Sequence, residues 1–308
     1  GFLPDDHPLC ISDVRGQALA EADLVLMVGA RFNWTFHYGI EIAPSARIIR
    51  IDIDPEESCS VLGRGIGLHG DAATTMRQLL DALNLGIAIP GAARRDAGWI
   101  ARLQVLRGAI DDASVSQGTP QREPMSPFQW LCEVREVLPA SAITVLDGNV
   151  VMAAAQRMLP ARAPLGRITA ASNGCMGTGI PFAIGAKLAC PERPVVAICG
   201  DFGFGLSGIE LETAVRHKVP ITAIVANNGG PGGTTRQREF FAPDCREPVA
   251  IYTDGIRHDR IMEALGGRGI RVQRPGELRP ALREALAADS PTCIDVLTNG
   301  DVPLCPVI

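Results

Sequence analysis

The strongest constraint on this chain is the regular alternation of short apolar runs with helical stretches in its second half. Ile143 to Leu146, Ile168 to Ala170, Val195 to Cys199, Ile221 to Ala226, Ile270 to Val272 and Cys293 to Leu297 are each short and apolar, and amphipathic stretches separate them. Runs of this length, buried on both faces and spaced by helices, predict a doubly wound parallel α/β sheet.

Within that frame one unit stands out. The run Val195 to Cys199 leads into the glycine-rich stretch Gly200-Asp201-Phe202-Gly203, read as a turn up to Leu206. Ser207 to His217 carry Ile209, Leu211, Ala214 and Val215 at helical spacing, Pro220 ends that helix, and the next run closes on Asn227-Asn228. The strands of a βαβ unit run the same way, so Asp201 and Asn228 are expected at one carboxyl edge, where open α/β sheets take ligands. A carboxylate and an amide oxygen converging there suit a hard cation such as Mg²⁺. The amides of Gly203 and Phe204 suit a phosphate.

This constellation resembles the signature of the thiamine diphosphate-dependent enzymes, which opens on Gly-Asp-Gly and closes on Asn-Asn. The departure is Phe202, where many members have glycine. The resemblance implies Asp201, Asn228 and the backbone carbonyl of Gly230 as ligands of the Mg²⁺ that holds the cofactor diphosphate, with Gly200, Gly203 and Phe204 beside it.

Two further loops fall on the same edge. Asp147-Gly148-Asn149 follows a strand and precedes the helix Val150 to Met158, so Asn149 is placed either as a helix cap or as a diphosphate contact. Ser172-Asn173-Gly174-Cys175-Met176-Gly177 lies between a strand and the next helix. By resemblance, Gly174 offers its carbonyl to the aminopyrimidine, Met176 props the bend between the two cofactor rings, and Ser172 lies near the phosphates. The glycine-rich stretch from Gly229 to Gly233, with Arg236 and Arg238 after it, reads either as a loop closing over substrate or as a surface loop.

The first 90 residues read as a partial Rossmann-like middle domain, residues 91–124 as a linker whose most flexible part is Ser114 to Gln121, and residues 125–308 as the diphosphate-binding domain. Leu24 to Val28 and Ile48 to Ile53 are expected as buried parallel strands, with helices over Asp13 to Ala22, Ala72 to Leu83 and Ala97 to Ile110. Pro4-Asp5-Asp6-His7-Pro8, Gly29-Ala30-Arg31-Phe32-Asn33-Trp34 and Ile51-Asp52-Ile53-Asp54 resemble the middle domain of 2-hydroxyacyl-CoA lyases and oxalyl-CoA decarboxylases. That likeness implies a nucleotide pocket in which Arg31 meets a phosphate and Asp52 a ribose hydroxyl. Asp54-Pro55 also reads as a plain helix start.

Composition narrows the function classes. A net charge of −5 without any lysine or arginine run argues against a nucleic-acid partner. No apolar stretch reaches the roughly 18 residues of a membrane span. Nine cysteines, odd in number and without a Cys-x-x-Cys, read as free thiols of a reducing compartment, so a cytoplasmic or, in a eukaryote, peroxisomal location is expected.

The resemblance implies a ThDP- and Mg²⁺-dependent carbon–carbon lyase acting on 2-hydroxyacyl-CoA or oxalyl-CoA substrates. An acetolactate synthase-like carboligase or 2-oxoacid decarboxylase is the alternative, and a non-catalytic chain binding a nucleotide or ThDP is a third reading. The family's pyrimidine-binding domain, which supplies a glutamate to the cofactor ring, has no counterpart in these residues, and the chain opens at Gly1 in what reads as mid-domain. The expectation is a homodimer or tetramer, or pairing with a pyrimidine-binding domain, before a site is complete.

Overall fold

A computed structural model describes residues 3–84, 97–119, 121–231 and 251–299. The chain divides into two compact units, one formed by Gly1–Cys10 with Ala109–Ile308 and the other by Ile11–Gly108.

The smaller unit is built on a parallel sheet in the order β1 (Leu24–Val28), β2 (Arg47–Asp52), β3 (Gly65–His69). Three helices accompany it: α1 (Arg15–Glu21), α2 (Pro55–Cys59) and α3 (Ala72–Asn84). Asp54 caps α2 by accepting the Glu56 amide, and Asp71 accepts the Thr74 amide at 2.8 Å. The expectation of fully buried strands fails for β1. Val25 and Met27 pack on Ile42, Ala46 and Ile48, whereas Leu24, Leu26 and Val28 are exposed. Successive side chains of a strand point to opposite faces, and here one face alone is packed.

Helix α4 (Ala97–Gly118) runs on past Ile110, where the sequence suggests a flexible stretch from Ser114. The hydroxyls of Ser114 and Ser116 bond back to the carbonyls of Ile110 and Asp112, both at 2.8 Å, so residues that favour turns are absorbed into the helix.

The larger unit carries a sheet of order β5-β4-β6-β7-β9-β8, with every pairing parallel. Its strands are β4 (Ile143–Asp147), β5 (Arg167–Ile168), β6 (Val195–Gly200), β7 (Thr222–Asn227), β8 (Arg268–Val272) and β9 (Thr292–Leu297). Among the described residues it also carries helices α5 (Pro127–Val137), α6 (Val150–Met158), α7 (Gly179–Ala189), α8 (Asp201–Ser207), α9 (Leu211–Arg216), α10 (His258–Ala264) and α11 (Leu278–Ala287). Ser126 caps α5 with Pro127 in its first turn, as the sequence predicts.

Strand β6 shows why the sheet is wound on both sides. Val196 and Ile198 enter the core shared with α5, α6 and α11, while Val195, Ala197 and Cys199 enter the core shared with α7 and α9. The chain leaves β4 for β5 on one side and comes back to β6 on the other. The carboxyl ends of β4 and β6 therefore flank the topological switch point, the place where open α/β sheets leave a crevice. The segment around Asp5 joins this unit: the Asp5 carboxylate accepts the Ala161 amide and pairs with Arg167, both at 2.8 Å.

Candidate functional site

At the switch point lies a cleft of about 310 Å³. It brings together seven of the predicted residues: Asn149, Met176, Gly200, Asp201, Gly203, Asn228 and Gly230. Ser172, Gly174 and Phe204 do not line it. Ser172 and Gly174 are exposed at a short 3-10 turn, with Gly174 in the left-handed conformation, and Phe204 is buried with its ring edge-on to His258.

The glycine-rich stretch after β6 is not a turn. Helix α8 begins at Asp201 itself, and Gly200 serves as its extended N-cap. Asp201 Oδ1 accepts the Phe202 amide at 2.7 Å, which ties the first turn to its own side chain. Gly203 thus lies in the first turn, where a helix leaves its amide without an intrahelical partner, whereas the Phe204 amide is the first that can bond back, to the Gly200 carbonyl. Gly203 faces the Asp147 carboxylate so closely that an added Cβ would stand 3.2 Å from it.

Asp201 is 2% exposed, and its Oδ2 accepts the amides of Gly230 at 2.8 Å and Asn228 at 3.2 Å. Burial pushes its carboxyl above the usual range, and these amides partly offset the effect. The Asn228 side-chain amide stands 2.9 Å from the Gly230 carbonyl oxygen and 3.0 Å from Asp201 Oδ2. With its nitrogen turned inward it donates to both. With its oxygen inward, carboxylate, amide and carbonyl oxygens crowd one point, an arrangement that a hard cation stabilises. Among the described residues no cluster of three His, Cys, Asp or Glu offers a different kind of metal site.

Asn149 precedes α6, but its side chain makes no capping bond. It lines the cleft instead. Glu210 and Glu212 are engaged locally, by the Thr213 hydroxyl and by Arg216. Arg236 and Arg238 lie outside the described residues. In the smaller unit, Arg31 pairs with Glu57 at 3.3 Å and Asp52 accepts the Asp54 amide at 3.0 Å, so both are held by near neighbours at the ends of β1 and β2.

Several residues near the cleft escape the sequence reading. Tyr252 donates its backbone amide to the Gly229 carbonyl, and its hydroxyl is pushed up by burial and by the nearby Asp201 charge. Asn227 donates from Nδ2 to the Asp295 carboxylate, which also meets His258 and Arg271. A charged residue within the apolar run of β9 was the available signal for Asp295; Tyr252 gave none.

The likenesses to known proteins fall on both units. Residues 1–79 match the family described as thiamine pyrophosphate enzyme, central domain, and residues 147–296 match thiamine pyrophosphate enzyme, C-terminal TPP binding domain. Probable acetolactate synthase of Mycobacterium bovis is 33% identical over 306 residues, covering 98% of this chain and 53% of the relative. Mouse 2-hydroxyacyl-CoA lyase 1 is 31% identical, covering 96% and 52%. Oxalyl-CoA decarboxylase of Escherichia coli K12 is 33% identical, covering 97% and 52%. The chain spans about half the length of the curated relatives it matches. Among the described residues no helix is long and apolar enough to cross a membrane. With both a central and a TPP-binding domain matched, this chain belongs to the thiamine pyrophosphate enzymes, whose cofactor is thiamine diphosphate.

Proposed function

We propose that this chain forms the diphosphate-binding half of a ThDP- and Mg²⁺-dependent enzyme that breaks a carbon–carbon bond in a 2-hydroxyacyl-CoA or oxalyl-CoA substrate. The observation that carries the reading is the approach of the Asn228 amide to Asp201 Oδ2 and the Gly230 carbonyl oxygen at the switch point. In this reading Asp201, Asn228 and Gly230 hold Mg²⁺ against the diphosphate. Asn149, Gly200 and the first-turn amide of Gly203 lie along the diphosphate. Met176 meets the ring end.

When bound, thiamine diphosphate supplies a thiazolium that accepts the electron pair of the breaking bond. The residues of this chain anchor and orient it. Burial of Asp201 keeps its carboxylate out of water, which strengthens its attraction for a cation at the cost of a raised pKa. The pyrimidine end is proposed to meet a pyrimidine-binding domain in a dimer or tetramer. Exposed Leu206 and Ile209, directly after the first turn of α8, support a site that is completed by assembly.

The stretches around Arg31 and Asp52 favour the CoA-ester reading. Equal identity to an acetolactate synthase favours the second reading, carboligation of 2-oxoacids. Turnover assays on the full-length protein with ThDP and Mg²⁺ separate them. Cleavage of 2-hydroxyacyl-CoA or oxalyl-CoA meets the first reading, and condensation of pyruvate meets the second. A cofactor-loaded protein inert on all three substrates contradicts both.

A further inference from the structure

We propose that Asp147 is a positioning residue for Met176, holding the loop that carries it through two backbone amides. This rests on the ThDP reading of the cleft and assigns a new role within it. Asp147 ends β4 and is 2% exposed. Its Oδ1 accepts the Gly177 amide at 3.2 Å and its Oδ2 accepts the Gly179 amide at 2.9 Å. One carboxylate thus clamps both sides of Thr178, directly after Met176.

The glycines are what allow the clamp. Gly177 has a φ of +83°, a conformation that side chains rarely adopt, and an added Cβ would stand 2.8 Å from Leu206 Cβ. At Gly179 a Cβ would come within 2.9 Å of Asp147 Cβ and 2.5 Å of Cys199 Sγ. At Gly203, on α8, it would press on the Asp147 carboxylate itself. The carboxylate is therefore enclosed by the Met176 loop on one side and the first turn of the Asp201 helix on the other.

Met176 is 44% exposed and lines the cleft, so its own packing does not fix it. Methionine is also the most adaptable apolar side chain. Its height above the cleft floor depends on the backbone, and the backbone depends on Asp147. A bend-supporting side chain is useful only if its position is set within a fraction of an ångström. A buried carboxylate receiving two amides supplies that constraint.

The test uses Asp147→Asn in the full-length protein, because asparagine keeps the volume but cannot accept from both amides with two equivalent oxygens. Hydrogen exchange of a peptide spanning residues 174–182 is expected to rise by about tenfold or more, with a β9 peptide unchanged. Unchanged exchange at 174–182 overturns the proposal. Should the variant fail to fold, the wild-type amides of Gly177 and Gly179 decide it: protection supports the clamp, and exchange at the free-peptide rate overturns it. A second arm measures Mg²⁺-dependent ThDP affinity for Asp147→Asn, Met176→Ala and the double variant. Effects that do not add show that Asp147 acts through Met176, and full additivity overturns that route. Failure of the wild-type protein to bind ThDP overturns the functional reading, while the exchange arm still decides the clamp.

Discussion

Asn227 and Asp295 join β7 to β9 at the carboxyl edge, with Asn227 Nδ2 donating to Asp295 Oδ1 at 3.0 Å. Asn227 precedes the proposed metal ligand Asn228, and the same nitrogen also reaches the Ile256 carbonyl at 3.0 Å. Asp295 in turn meets His258 Nδ1 at 3.0 Å and Arg271 at 3.1 Å, and it is 1% exposed. His258 stacks edge-on against Phe204, in the first turn of the Asp201 helix. One buried carboxylate thus ties together the elements around the site.

Asp295→Ala leaves Arg271 without its buried carboxylate and Asn227 without one acceptor. Removing one partner of a buried ion pair costs about 3–5 kcal/mol. The expected outcome is a loss of that size in urea unfolding of the larger unit. A loss below about 1 kcal/mol, in the range of surface pairs, would show that the network contributes little.

The Mg²⁺ effect is expected to depend on pH. Burial raises the Asp201 carboxyl above its unfolded value. A group raised in this way favours the folded state at low pH and ceases to do so as the pH rises through its folded value. The apo protein is thus penalised at neutral pH, and a cation relieves the penalty. At acid pH a proton competes with the cation. The thermal stabilisation by Mg²⁺ with ThDP should fall as the pH is lowered from neutrality through the raised Asp201 value. A stabilisation that stays constant down to the onset of acid unfolding would exclude Asp201 as the group concerned.

Thiol labelling reads the site from another side. Cys175 is exposed and adjoins Met176, whereas Cys199 and Cys293 are buried and burial pushes both thiols up. Iodoacetamide should modify Cys175 and the exposed Cys59 on the order of tenfold or more faster than Cys199 and Cys293. ThDP with Mg²⁺ should slow Cys175 and leave Cys59 unchanged. Protection of both alike would point to a global change rather than to occupancy of the cleft.

Much of the larger unit was legible because fully buried parallel strands leave near-continuous apolar runs, and β4, β6, β7 and β9 each fall within a residue or two of expectation. β3 was not legible: Gly65-Ile66-Gly67-Leu68 carries two glycines, which β-propensity disfavours. At both glycines an added Cβ would strike neighbouring backbone, so the strand exists through close approach rather than propensity. The start of α8 was misread for the related reason that glycines look like turn residues, whereas Gly203 is there to make room for Asp147. That Asp201 and Asn228 meet at one edge was legible because the strands of a βαβ unit run the same way. The hold of Asp147 on Gly177 and Gly179, and of Asp295 on Asn227, was not, because both cross between elements that only the fold brings together.

In the proposed site Asp201, Asn228 and Gly230 hold a divalent cation against a diphosphate. Calorimetric titration with ThDP, with and without Mg²⁺, on the wild-type protein and on Asp201→Ala tests it most directly. Mg²⁺-dependent binding is expected of the wild type, and its loss in Asp201→Ala, because the anionic ligand is gone. Mg²⁺-dependent affinity retained in Asp201→Ala would contradict it.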